Sequence, residues 1–363
     1  MLGPPPLPRN LEASIRDLES NKPEVRASAV EDVVRHGQAD PEFTARAILL
    51  LEARLKDEHA AVRSRAAVGL GDLDAKTAVN SLLVAVEDDN GHVREMALNA
   101  LGEIGDARAA PRLRRALQDE RPEVRYQAVI AFSRIEGMDG KEIDAALEAA
   151  THDDDDAIVH IALRVGEERI DDGKPVAPKL ALRAKTLVEE GSPALKLVSA
   201  IYLAKAGEKA GRGLIARVVR GEKIDDEAVD KEDERAAVEL AGELEMKELV
   251  PFLEKRVWGL AHFVRDTSAF HARIALARMG HAPAKREIIA DLSAAKKEVR
   301  NAAVVAAGRA RIAEAKSEIE KLTKASVDAD LVKEALGRLG AANEAGGDAE
   351  HPSSEPEEKE PNE

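Results

Sequence analysis

At 363 residues the chain is longer than a single compact core usually organises. With 44% apolar but only 2% aromatic residues, its core must be built from Ala, Val, Leu and Ile. The formal net charge of −15 argues against a general polyanion binder, and the absence of cysteine excludes disulfides, thiolate metal sites and cysteine nucleophiles.

Residues 1–9, with Pro4, Pro5, Pro6 and Pro8, predict an extended Pro-rich start without an apolar signal core. From residue 10 onward a phrase recurs. Asp57-Glu58-His59-Ala60-Ala61-Val62-Arg63 is echoed by Asp88-Asp89-Asn90-Gly91-His92-Val93-Arg94 and by Asp119-Glu120-Arg121-Pro122-Glu123-Val124-Arg125. Aligned on the valine, clear copies fall at Val25, Val62, Val93, Val124 and Val299. Weaker copies fall at Ile158 and Leu195, and degenerate ones at about Glu232, Ser268 and Asp328. This period predicts about ten helix pairs, each packed on its neighbours.

The second helix of each pair is the better marked. In 93–104 the apolar residues Val93, Ala97, Ala100, Leu101 and Ile104 trace one stripe of a 3.6-residue helix. Gly105 supplies a stop and Asp106 a cap for the next helix; Gly280 and Gly340 are read as further stops. First helices are predicted at 41–56, 77–86, 109–117, 141–149, 178–187, 212–219, 246–259, 283–292 and 314–323. No run alternates as a strand does, and Asn90-Gly91 lies between helical patterns. The acid-rich stretch from Asp225 to Glu234 is expected to be a long exposed loop, and Gly207–Gly213 a turn. No run approaches the ~18 apolar residues of a membrane span, so none is expected and the cytoplasm is the default location.

The Asp-x5-Arg step followed by Ala-x-x-Ala-Leu-Gly-x-Ile-Gly resembles HEAT repeats. More narrowly, it is similar to the short subgroup first described in phycobilisome lyases. The resemblance covers roughly residues 10–340, most strongly 20–135 and 290–310 and most weakly 150–285. It implies an all-α, right-handed α-α superhelical solenoid, with Asp57, Asp88 and Asp119 and Arg63, Arg94 and Arg125 forming a structural ladder between units. Ser20 replaces the acid before Arg26 and Val159 the arginine after Asp153, so the ladder is expected to break at the first unit and in the middle. The expected organisation is regular repeats over 10–150, degenerate repeats over 151–285, regular repeats over 286–340 and a disordered acidic tail over 341–363.

Chemistry-bearing patterns are sparse. The nine histidines are scattered, with no His-x3-His pair and no His-Glu dipeptide, which disfavours the iron chemistry of the HEAT-like deoxyhypusine hydroxylases. Asp153–Asp156 lacks the alternate spacing of a calcium loop and reads as a solvated, capped helix start. There is neither a phosphate-binding Gly-x4-Gly-Lys loop nor a Gly-x-Ser-x-Gly elbow. No catalytic, metal or cofactor residues are assigned.

One segment stands apart. Residues 252–286 carry Lys255, Arg256, Arg265, Arg273, Arg278, Lys285 and Arg286 against Glu254, Asp266 and no other acid before Glu287. They also hold four of the eight aromatic residues: Phe252, Trp258, Phe263 and Phe270. The rings either fill a core where the repeat degenerates or join their arginines in an interface. Candidate partner-binding residues are Arg256, Trp258, His262, Phe263, Arg265 and Arg273, facing an acidic peptide or protein. The leading expectation is therefore a non-enzymatic protein-binding scaffold or adaptor. The alternatives are a phycobilin-lyase-type enzyme or enzyme subunit and a nucleic-acid-binding HEAT-like protein. The last is disfavoured, because polar positions along the second helices mix signs instead of forming the basic stripe that phosphates require.

Overall fold

The structure, a computed structural model, describes residues 9–259, 268–322 and 326–345. Among these residues there are helices and turns but no strand; the β-type pairing is an isolated bridge between Ile224 and Glu227. Across the described residues, twenty α-helices form ten consecutive pairs. They divide into two compact units, residues 1–211 and 212–363. The division falls inside the stretch expected to carry degenerate repeats, at the Gly207–Gly213 turn.

In the first unit the pairs are α1 (Leu11–Asp17) with α2 (Pro23–Ala39), α3 (Pro41–Arg54) with α4 (Ala60–Asp72), and α5 (Val79–Ala85) with α6 (Gly91–Ile104). They continue as α7 (Ala110–Ala116) with α8 (Pro122–Ser133), α9 (Gly140–Ala150) with α10 (Asp156–Asp171), and α11 (Pro178–Glu190) with α12 (Pro193–Lys205). Each first helix packs on its own second helix, and the second helices pack in series from α2 to α12. The stripe of α6 explains why. Val93, Ala97, Ala100 and Leu101 are fully buried and Ile104 nearly so. Burying each Val, Leu or Ile contributes about 1.5–3 kcal/mol relative to exposure, and α6 can bury both flanks only by having a neighbour on each side.

Local signals set the boundaries. The Asn90 side chain accepts the N–H groups of His92 and Val93, which opens α6, and Gly105 closes it in the left-handed region at φ 70°. Asp106 then accepts the N–H of Arg108 to start the next turn.

The second unit comprises α13 (Arg212–Val219) with α14 (Lys231–Glu243), α15 (Val250–Trp258) with α16 (Ala269–Arg278), α17 (Ala282–Asp291) with α18 (Lys297–Arg309), and α19 (Lys316–Glu320) with α20 (Ala329–Ala345). It repeats the same packing: first helix on second, and α14, α16, α18 and α20 in series. Three expectations change here. The acidic stretch 225–234 is not all loop: α14 starts at Lys231, and Asp233 and Glu234 are buried on it. Gly340 is not a stop, because α20 runs through it to Ala345. For the same reason the backbone of 341–345 is helical, where the acidic tail was expected to begin. No helix among the described residues is long and apolar enough to cross a membrane.

Candidate interaction surface

The recurring acid and arginine form one geometry four times over. Arg26 donates Nε and Nη2 to the two carboxylate oxygens of Asp57 at 2.7 Å each. Arg63 does the same to Asp88 at 2.7 Å, Arg94 to Asp119 at 2.9 and 2.8 Å, and Arg125 to Asp153 at 2.7 and 2.8 Å. In each case Nη1 turns back to a carbonyl of its own unit: Ser20, Asp57, Asp88 or Asp119, at 2.8–3.0 Å. The acid in turn accepts the backbone N–H two residues on, from His59, Asn90, Arg121 or Asp155. An arginine therefore joins its own turn to the acid of the next unit, and the fork geometry suits a carboxylate.

Burial pushes the carboxyls of Asp57, Asp88 and Asp119 up. The hydrogen bonds from Arg26, Arg63 and Arg94, helped by those backbone N–H groups, outweigh it and hold all three below the ordinary carboxylate range. For Asp153 the bond from Arg125 is the leading influence and the direction is the same.

The forward direction of pairing changes one expectation. Ser20 does not break the ladder at the first unit, because Arg26 needs the acid ahead of it and not the one behind. The four-aspartate run also gains a rung: its first member, Asp153, is the acceptor for Arg125. Beyond Val159 a different network appears, in which Lys205 reaches the buried Glu167 at 3.0 Å and Arg164 reaches it at 2.5 Å. At Arg300 the ladder geometry returns with a backbone acceptor, the carbonyl of Ser326, at 2.9 Å.

The candidate partner residues fare unevenly. His262, Phe263 and Arg265 lie outside the described residues. Arg256 is held inside its unit: Nη1 meets Glu234 at 2.7 Å, and Nε and Nη2 donate to the carbonyls of Val219 and Val218 at 3.1 and 3.0 Å. Arg273 pairs with Asp291 at 2.9 Å. Arg278 lies 3.5 Å from Glu243 and Lys285 3.7 Å from Glu314. Four of the cations counted over 252–286, Arg256, Arg273, Arg278 and Lys285, thus face acids from outside that window, which a linear count cannot register.

The aromatic residues supply what remains. Trp258 is 41% exposed and Phe252 39% exposed. The Trp258 indole donates Nε1 to Glu287 at 3.0 Å, and its ring centroid lies 5.6 Å from that of His281. Beside it a cleft of about 420 Å³ is lined by Val257, Trp258, Ala269, Phe270, Arg273 and Glu287. Trp258 is the sole tryptophan, so tryptophan fluorescence, excited beyond the absorption of Tyr126 and Tyr202, reports on this cleft alone. Its emission is expected to be quenched by both acrylamide and iodide. A blue-shifted emission insensitive to iodide would show that the ring is enclosed. Among the described residues no group of His, Asp or Glu is placed to hold a metal ion.

The comparisons agree with this architecture. Residues 47–132 and 83–165 match the family described as HEAT repeats. Residues 47–165 are HEAT repeats. No curated protein matches the chain. Among solved structures, the chain is similar to Escherichia coli YibA, at 16% identity over 76% of this chain and 93% of that one, with a TM-score of 0.50. It is also similar to the complex of CpcE and CpcF of phycocyanin lyase from Nostoc sp. PCC7120, at 19% identity over 70% and 97% and a TM-score of 0.42. An engineered protein matches at 16% identity over 93% and 99%, with a TM-score of 0.39. At 16% identity the likeness to YibA is one of fold alone.

Proposed function

We propose that this HEAT-repeat chain is a non-enzymatic scaffold that binds protein, and that the cleft beside Trp258 is an anchoring site. HEAT repeats present an extended surface on which partners lie. The observation that carries the reading is the exposed indole of Trp258. In a chain with eight aromatic residues, one large ring stands 41% exposed at the mouth of a cleft, beside Phe270 and Arg273. Trp and Arg are the residue types that dominate binding hot spots. Because Arg256 and Arg273 already have acidic partners, the anchor is aromatic first, with Arg273 and Glu287 fixing orientation at the rim.

The test compares Trp258→Ala with Trp258→Phe and the unaltered chain in quantitative affinity capture. Trp258→Ala is expected to lower the yield of the specific partner about tenfold or more, corresponding to a loss of at least about 1.4 kcal/mol. Trp258→Phe should retain most of it, and thermal melting should be the same in all three. An unchanged partner set in Trp258→Ala overturns the assignment. Charge reversal at Arg256 is unsuitable as a test, since it would place a carboxylate against buried Glu234.

A further inference from the structure

The first unit has an open cleft of its own, beside the ladder but not part of it. Its ring is Tyr126, the residue after the ladder arginine Arg125. The stack does not need an aromatic residue there. The residues after Arg26, Arg63 and Arg94 are Ala27, Ser64 and Glu95, and the first two are buried. Tyr126 is instead 37% exposed. It walls a cleft of about 260 Å³ together with Pro122 of its own helix and Ile158 of α10. In the next register position Met96 of α6 and Ile161 of α10 are half-buried, and so is Ile130, one turn beyond Tyr126. By register these residues continue an apolar strip along α6, α8 and α10.

The rim of the cleft carries negative charge that the unit does not balance. Glu95, Glu123 and Asp155 line it, and no cationic side chain does. Among the described residues, Glu95 meets the His92 ring at 3.1 Å, which is not a permanent cation. Glu123 stands 3.7 Å from Arg121 with both side chains more than half exposed, and such a pair contributes little in water. Asp155 caps α10 by accepting the N–H of Ala157, and among the described residues it has no cation at ion-pair distance. Arg125 lies in the field of Asp153, Asp154 and Asp155 together, but both of its carboxylate bonds go to Asp153. The three rim carboxylates are not placed to share a metal ion.

The carboxylates alone would be a solvated face; the open ring and the apolar walls between them select one kind of group. A lysine or arginine side chain has an apolar stem and a charged head. The stem fits against Pro122, Tyr126 and Ile158, the head meets the rim, and a cation near a tyrosine face is attracted to it as well.

We propose that the Tyr126 cleft docks a basic, apolar-flanked segment of a partner protein, with one lysine or arginine side chain seated between Glu95, Glu123 and Asp155. This surface lies in the first unit and stands apart from the Trp258 cleft of the second. A random peptide library selected on the full chain is the probe, and anisotropy of the selected peptides, made with a fluorescein label, is the readout. Selection should enrich peptides in which lysine or arginine has apolar neighbours. Glu95→Gln, Glu123→Gln and Asp155→Asn together should weaken their binding about tenfold or more, as expected for three exposed ion pairs. Asparagine caps a helix as well as aspartate, so α10 keeps its start. Tyr126→Ala should weaken binding about fivefold or more, and Tyr126→Phe should retain most of it. Glu12→Gln, Glu24→Gln and Glu42→Gln together remove equal charge from exposed positions in the first two repeats and should change binding less than about twofold at ~0.15 M salt. Trp258→Ala should leave it unchanged, which keeps this docking site separable from the anchoring site above. Selected peptides without the basic and apolar signature overturn the proposal. So do equal losses in the two acid triples, which would mean attraction to the net charge, and so does binding indifferent to Tyr126→Ala.

Discussion

Asp119→Ala is expected to lower the unfolding free energy of the first unit by about 2–4 kcal/mol, between the values for exposed pairs and for buried pairs broken on one side. Arg94 and Asp119 are only 11% and 15% exposed, and the arginine has no comparable acceptor in reach, Glu120 being 3.6 Å away and itself exposed. The carboxylate also accepts the N–H of Arg121, so alanine removes a turn contact as well as a charge. Asp119→Asn keeps that acceptor and should cost less. Replacing both Arg94 and Asp119 by Leu should recover part of the loss, since the largest penalty is the stranded guanidinium. Urea denaturation monitored by circular dichroism measures all three. In a stack of nearest-neighbour units the damage should also broaden the transition, as the contact between the α6 and α8 repeats weakens relative to the others. An Asp119→Ala midpoint within error of the parent would show the ladder to be ornamental.

Acid should act through the same rungs. The folded-state values of Asp57, Asp88, Asp119 and Asp153 are all depressed. Their contribution is therefore fully present above the unfolded value of about 3.9 and is lost as pH falls through the lower folded values. The stability gap between the parent and Asp119→Asn should accordingly be widest near neutrality and narrow below about pH 4.

The range of each interaction decided whether it was legible in the sequence. The stripe of α6 and its Asn90 and Gly105 boundaries are local, with determinants within one helix, and they could be read residue by residue. The ladder acids and arginines were legible as a recurrence. The direction of their pairing was not, because Asp57 is six residues from Arg63 in sequence yet is bound by Arg26, thirty-one residues earlier. Asp233 and Glu234 looked like loop acids because the arginine that accompanies Glu234 underground, Arg256, comes from a later helix at no repeat spacing. The basic character of 252–286 was overstated for the same reason: the partners Glu234, Glu243, Asp291 and Glu314 of four of its cations lie outside the window. Composition could not say whether Phe252 and Trp258 were core or surface, since burial is a property of the neighbours. Gly340 was misread because glycine permits a helix stop without imposing one, and α20 simply continues.

Two glycine substitutions in one unit should move stability in opposite directions. In Gly308 an added Cβ would meet the Cα of Ala335 at 2.8 Å and its Cβ at 2.9 Å, so α18 and α20 touch backbone to backbone at this point. The same close approach recurs where Gly102 meets Ala131 and Gly242 meets Ala275, which marks it as the contact that sets the spacing of second helices. Gly308→Ala must push the helices apart, because the obstacle is main chain and cannot rotate away; a loss of about 1–3 kcal/mol is expected. Gly337 lies inside α20 with nothing within 4 Å of its would-be Cβ and no left-handed φ. There alanine only restricts the unfolded chain and favours the helix, and a gain of about 0.5–1 kcal/mol is expected. Thermal and urea melts of the full chain decide both. Equal effects at the two positions would mean that helix propensity, and not the Gly308–Ala335 contact, governs this stack. Opposite signs would establish that the small residues of the repeat are there to let backbones touch.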